Sequence, residues 1–149
     1  LAQSLREERG LVPKTLFISA CRSPDRFQQD RSLHRLPDEE MIQSLVKDFN
    51  VDGKATAAEL DMMRLMADTL RADLKLLETY THPPHQPLSC PIVALAASED
   101  RQVTAADVNG WRAHTDQRFT MRTIPGHHFF LREQEKSVVD LITAKLTAT

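Results

Sequence analysis

The chain has 149 residues, 41% of them apolar and 27% charged, with a net charge of −2. That length suffices for one ordinary domain with a sizeable core, and the balance is that of a globular protein in water. The near-neutral charge excludes the basic footprint of a nucleic-acid binder and a polybasic membrane patch. No stretch has the length of a transmembrane span or the form of a signal peptide. Cys21 and Cys90 make neither a disulfide framework nor a metal motif, so a reducing cytoplasm is the expected location.

The chain opens on Leu1 inside a stretch, residues 1–8, that already reads as helix, with Gly10 placed to cap it. An element under way at the first residue is read as the mark of a cleaved or truncated protein. Residues 15–20 are a short apolar run of strand formers, and Cys21-Arg-Ser-Pro-Asp25 breaks it with turn chemistry. Residues 26–35 are polar and aperiodic, which predicts a loop.

Two helical blocks follow. Pro37, Asp38, Glu39 and Glu40 suit a helix start, where the positive end of the dipole favours acids. Met41, Leu45, Val46 and Phe49 mark its apolar face. Thr56-Ala-Ala-Glu59 is a capping-box pattern, and Leu60, Met63, Leu65, Met66, Leu70, Leu74 and Leu77 extend a single long helix to about residue 80. The prolines of residues 81–87 end it.

The last third alternates strand and helix. Residues 91–96 form a continuous apolar run, as in a strand buried on both faces. Thr104 caps a helix carrying Val108 and Trp111, residues 119–124 are the next strand, and residues 133–146 form a final helix. Three strands separated by helices predict an α/β fold with parallel pairing.

Ligands of parallel α/β sheets bind beyond the carboxyl ends of the strands. The second strand runs out into Ser98-Glu99-Asp100 and the third into Pro125-Gly-His-His-Phe-Phe130. If the two strands are neighbours, Asp100 and a histidine converge. A histidine moves a proton to and from a reacting group, and a carboxylate on its other nitrogen fixes the tautomer. An aspartate after a strand is also an ordinary turn former, so the pairing carries more weight than either residue alone.

These residues carry a resemblance. Leu16-Phe-Ile-Ser-Ala-Cys-Arg-Ser-Pro24, Leu36-Pro-Asp38, residues 70–80, Cys90-Pro-Ile, Ser98-Glu-Asp100 with Val103, Trp111-Arg, and Pro125-Gly-His-His-Phe-Phe-Leu131 run in order along nearly the whole chain. The chain resembles a type II thioesterase, the editing enzyme of nonribosomal peptide and polyketide synthesis. The resemblance implies the C-terminal part of an α/β-hydrolase fold, with residues 1–149 as a single incomplete domain. A helical lid is implied at about residues 24–87. Asp100 matches the triad aspartate and His128 the triad histidine. His127 stands where the family has glycine, Arg101 where it often has proline and Ser98 where it often has glycine. The implied substrate is an acyl group on the phosphopantetheine of an acyl or peptidyl carrier protein, with no cofactor of the enzyme's own. Met62, Met63, Met66 and Leu70 suit either an acyl channel or the lid's own core.

The family nucleophile lies in Gly-x-Ser-x-Gly, and no serine here is flanked by two of Gly10, Gly53, Gly110 and Gly126. The fold ordinarily takes about 200–250 residues. An upstream segment or a complementary chain is therefore expected to supply the serine and to pair with the first strand. Without it that strand is an open edge, and the chain is not expected to be a stable free monomer. Two other readings compete: a non-catalytic fragment or pseudoenzyme that binds a carrier protein, and an esterase or acyltransferase of the same superfamily. A metal site is not expected, because His34, His82, His85 and His114 lack ligand spacing.

Overall fold

The computed structural model describes residues 1–27, 32–50 and 54–147. The elements run α1 (Ala2–Arg9), β1 (Leu16–Ser19), α2 (Asp38–Phe49), α3 (Ala57–Leu65), α4 (Ala67–Thr79), β2 (Ile92–Ala97), α5 (Ala105–Asn109), β3 (Phe119–Ile124), α6 (Phe130–Glu133) and α7 (Glu135–Thr147). The contacts divide them into two compact units, Leu1–Arg26 with Pro84–Thr149, and Phe27–Pro83.

The first unit is built on a parallel sheet of order β1-β2-β3. Leu16 pairs with Ile92 and Ile92 with Phe119, so the three strands start level and their carboxyl ends lie on one side. The α/β architecture with parallel pairing expected from the sequence is the one observed. Every residue of β2 is buried, which accounts for its uninterrupted apolar run. Val93, Leu95 and Ala97 pack with Phe130 and Val138 on one face. Ala94 and Ala96 pack with Val103 and Val108 on the other. Fully burying a side chain of the size of Leu95 or Phe130 contributes roughly 1.5–3 kcal/mol. Gly10 ends α1 in the left-handed region, at φ 64°, and its N–H reaches Arg6 O.

The second unit is all helical. Met41, Ile42, Leu45 and Val46 of α2 form its core with Ala67, and Met63, Leu70 and Leu74 pack around them. Thr56 and Glu59 make the expected reciprocal capping box. Glu78 ties the stretch before α2 to α4, accepting from the backbone N–H groups of Leu33 at 2.8 Å and His34 at 3.1 Å.

Several expectations need correction. The single helix over residues 56–80 is two, because Met66 leaves helical geometry at φ −98°, ψ 9°. That break seats Ala67 in the core and leaves Leu65 and Leu77 exposed, so the apolar stripe is narrower than its periodicity indicated. The final helix starts earlier, at Phe130, and breaks at Gln134. The helix after Thr104 tightens at Gly110 into a 3-10 turn, Gly110–His114, which carries Trp111. The turn expected at residues 21–25 runs into a short 3-10 turn, Pro24–Arg26, and the loop expected over residues 26–35 holds a second, Leu33–Arg35; residues 28–31 lie outside the described residues.

Candidate active site

β2 and β3 are hydrogen-bonded neighbours, and the pairing continues past their ends. The N–H of Ser98 donates to Ile124 O at 2.9 Å and that of Glu99 to Gly126 O at 3.0 Å. The two loops named from the sequence are thereby laid side by side.

The Asp100 side chain is fully buried at the foot of the first loop. Its Oδ1 accepts the backbone N–H groups of Gln102 at 2.8 Å and Val103 at 2.9 Å. This fixes the carboxylate plane and directs Oδ2 at Nδ1 of His128, 2.8 Å away. An ionised carboxylate only accepts, so Nδ1 carries the proton and the neutral ring keeps its lone pair on Nε2. His128 is partly exposed, at 22% of its side chain. A buried, twice-anchored carboxylate thus holds an imidazole whose far nitrogen is a proton acceptor.

The histidine loop is shaped by its neighbours. Gly126 sits at φ 121°, a conformation that L side chains rarely adopt. A Cβ there would lie 3.1 Å from Glu133 Oε2 and 3.2 Å from Phe130 Cβ. Phe130 is wholly buried and its N–H donates to His127 O at 3.0 Å, so the loop is pinned to the core directly beyond His128. Phe129 stands edge-on to the His128 ring, with centroids 5.1 Å apart. His127 turns to Glu99 instead, with Nδ1 3.4 Å from Glu99 O and Nε2 3.8 Å from its carboxylate.

Two further histidine–carboxylate pairs went unrecognised in the sequence. His114 Nε2 is 2.8 Å from Asp25 Oδ1, and the ring packs edge-on to Trp111 and 6.0 Å from the ring of His85. The hydrogen bond from His114 holds the Asp25 carboxyl below its ordinary range. His34 Nδ1 is 2.5 Å from Glu78 Oε2. Burial raises the Glu78 pKa, but the hydrogen bonds from His34 and from two backbone N–H groups outweigh it and the net shift is downward. Glu78 therefore serves as a structural clamp within the helical unit. Neither pair lies at the carboxyl end of a strand. Their members are 89 and 44 residues apart, and no local spacing signals them. Burial pushes up the thiol pKa of Cys21 and of Cys90, which leaves both poor nucleophiles.

Comparison with known proteins adds relationship to geometry. The profile of the thioesterase domain family matches residues 1–146. Thioesterase PikA5 of Streptomyces venezuelae is 32% identical over 148 residues, 99% of this chain and 52% of its own length. The gramicidin S biosynthesis protein GrsT of Aneurinibacillus migulanus is 30% identical, over 98% of this chain and 57% of its own length. Among solved structures, the type II thioesterase BorB from the borrelidin biosynthetic cluster superposes with a TM-score of 0.81 at 34% identity. It covers 97% of this chain, which in turn covers 58% of BorB. RedJ, the thioesterase of the prodiginine pathway of Streptomyces coelicolor, gives 0.83 at 32% identity, over 95% of this chain and 54% of its own. The chain thus spans about half the length of the curated relatives it matches.

Proposed function

Because this chain belongs to the thioesterase domain family, we propose that it carries the acid and base of a serine thioesterase acting on acyl groups held by carrier proteins of nonribosomal peptide and polyketide synthesis. The observation that carries the reading is the 2.8 Å contact of His128 Nδ1 with the buried Asp100, at the carboxyl ends of two neighbouring parallel strands. The relatives support the substrate class: GrsT belongs to gramicidin S biosynthesis, and ClbQ, at 26% identity and a TM-score of 0.84, to the colibactin NRPS/PKS pathway.

In this mechanism a serine outside these 149 residues attacks the thioester carbonyl. His128 Nε2 takes the serine proton as the C–O bond forms. The tetrahedral intermediate collapses, the C–S bond breaks and the imidazolium returns the proton to the departing thiolate. Water, deprotonated by the same nitrogen, then attacks the acyl-serine ester, and the serine leaves with the proton. The products are a free carboxylic acid and the carrier's thiol. Asp100 stabilises the imidazolium and holds the tautomer without itself taking the proton. The helical unit Phe27–Pro83 is assigned as the family's lid.

The test is hydrolysis of an acylated carrier protein by a polypeptide uniting this chain with a segment that bears Gly-x-Ser-x-Gly. His128→Ala is expected to lower kcat by a factor on the order of 10⁴ or more. Activity within tenfold of the parent would refute the assignment. A second reading is favoured by one sequence fact, the lack of any Gly-x-Ser-x-Gly. By itself the chain would then bind a carrier protein without cleaving its thioester. Release of thiol by the 149 residues alone, at a rate abolished by His128→Ala, would exclude that reading.

A further inference from the structure

The face of the sheet that α7 covers is not apolar throughout. On β3, Thr120 and Arg122 are two positions apart and share that face with Val93 and Leu95, their partners in β2. A cleft of about 350 Å³ opens there, with Val93, Leu141 and Ala144 as its aliphatic floor and Arg122 and Lys145 at its margin. A second cleft of about 240 Å³ shares Val93, Thr120 and Lys145 with the first and adds Lys14 and Arg118.

Among the described residues, four cations and no carboxylate line these two adjoining clefts. Among the described residues none of the four makes an ion pair with a carboxylate, and Lys14 donates to a carbonyl, Leu146 O, at 2.9 Å. Elsewhere Arg64 pairs with Glu39 and Asp61, Arg71 with Asp38, Arg22 with Asp107, and Lys136 with Asp140. Unpaired like charges held close repel one another, and a bound anion relieves that repulsion. Lys145 is half-buried, so its methylene stem extends the apolar floor while its ammonium stays at the rim. Guarding the open edge of β3 would account for basic residues but not for the aliphatic cleft between them.

We propose that these adjoining clefts are a binding site for an amphiphilic anion of the medium-chain fatty carboxylate class. The alkyl tail lies on Val93, Leu141 and Ala144, and the carboxylate is held by Arg122 and Lys145, with Arg118 and Lys14 at the mouth. The first cleft falls in the size range of small-molecule pockets. The site lies toward the amino ends of β2 and β3, whereas Asp100 and His128 follow their carboxyl ends, roughly 17 Å away along a six-residue strand. It neither uses nor depends on the His128–Asp100 pair.

Photolabelling of the full 149-residue chain tests this. The probe is decanoic acid carrying a diazirine on its tail, used below its micellar concentration, with the labelled peptide mapped by mass spectrometry. Labelling is expected at Val93 or within residues 141–145. Unlabelled decanoate is expected to suppress it, and decyltrimethylammonium or inorganic phosphate is not. In the Arg122→Gln, Lys145→Gln double variant, half-suppression should require roughly tenfold more decanoate or beyond, since two charge-assisted bonds are lost. Equal suppression by the cationic amphiphile would overturn the proposal, as would suppression by phosphate alone, labelling confined to other residues, or an unchanged response in the variant. So would labelling that appears only when the probe is presented in phosphatidylglycerol vesicles, which would mark a membrane contact instead.

Discussion

Asp100 Oδ2 lies 2.8 Å from His128 Nδ1, while Oδ1 of the same buried carboxylate accepts two backbone N–H groups. This division of labour makes Asp100→Asn informative. The amide oxygen is expected to keep the two backbone bonds, which turns the NH₂ toward Nδ1 and forces the ring proton onto Nε2. Nitrogen-15 spectra of the imidazole should show the protonated nitrogen change from Nδ1 to Nε2. Turnover of the polypeptide united with its nucleophile should fall by about 10⁴. An unchanged tautomer would mean that Asp100 does not orient the ring.

Gly126→Ala should destabilise the chain by about 1–3 kcal/mol, because alanine at φ 121° is strained and its Cβ meets Phe130 and Glu133. The strain falls two residues before His128, so kcat should drop even where the variant remains folded. Urea denaturation and turnover measured on the same sample separate the two effects. Wild-type stability in the variant would contradict the backbone argument.

Asp25 provides a pH signature unconnected with the reaction. Its hydrogen bond from His114 depresses the folded carboxyl below the ordinary value of 3.8. A depressed acid adds stability that is fully present above the unfolded pKa and is lost as pH falls through the folded one. Asp25→Asn should therefore reduce stability at neutral pH and flatten the acid limb below about pH 4. Parallel melting curves of parent and variant between pH 3 and 7, rather than converging ones, would show that the bond contributes nothing.

The edge of β1 bears on how the chain behaves in solution. Among the described residues β1 pairs with β2 alone, and all four of its residues are half-buried rather than buried. A strand in that position offers its unpaired N–H and C=O groups to another chain. Sedimentation velocity on the 149 residues alone should reveal self-association, relieved by a segment that pairs with β1. A monodisperse monomer over a hundredfold range of concentration would contradict this.

Much of the α/β unit was legible because its signals are local. The run in residues 91–96 could scarcely be anything but a strand buried on both faces, and β2 is that strand shifted by one residue. Asp100 and His128 stood out because each follows a strand, where α/β sheets bind their ligands. What stayed hidden depends on tertiary contact. No glycine or proline marks the turn at Met66 or the break at Gln134; at Met66 the next residue, Ala67, is buried in the helical core. Leu65 and Leu77 share the period of the buried leucines but lie beyond the reach of the helical core. The Asp25–His114 and His34–Glu78 pairs join distant segments, so their histidines looked scattered.

Among the described residues His34, His114, His127 and His128 each face a carboxylate, and the central claim is that His128 is the base. The direct measurement is turnover of an acylated carrier protein by the united polypeptide carrying His128→Ala, His114→Gln or His34→Gln. Loss of about 10⁴ or more in kcat with His128→Ala alone, the other two staying within tenfold of the parent, is the predicted result. Near-normal turnover with His128→Ala, or an equal collapse with His114→Gln in a folded protein, would contradict it.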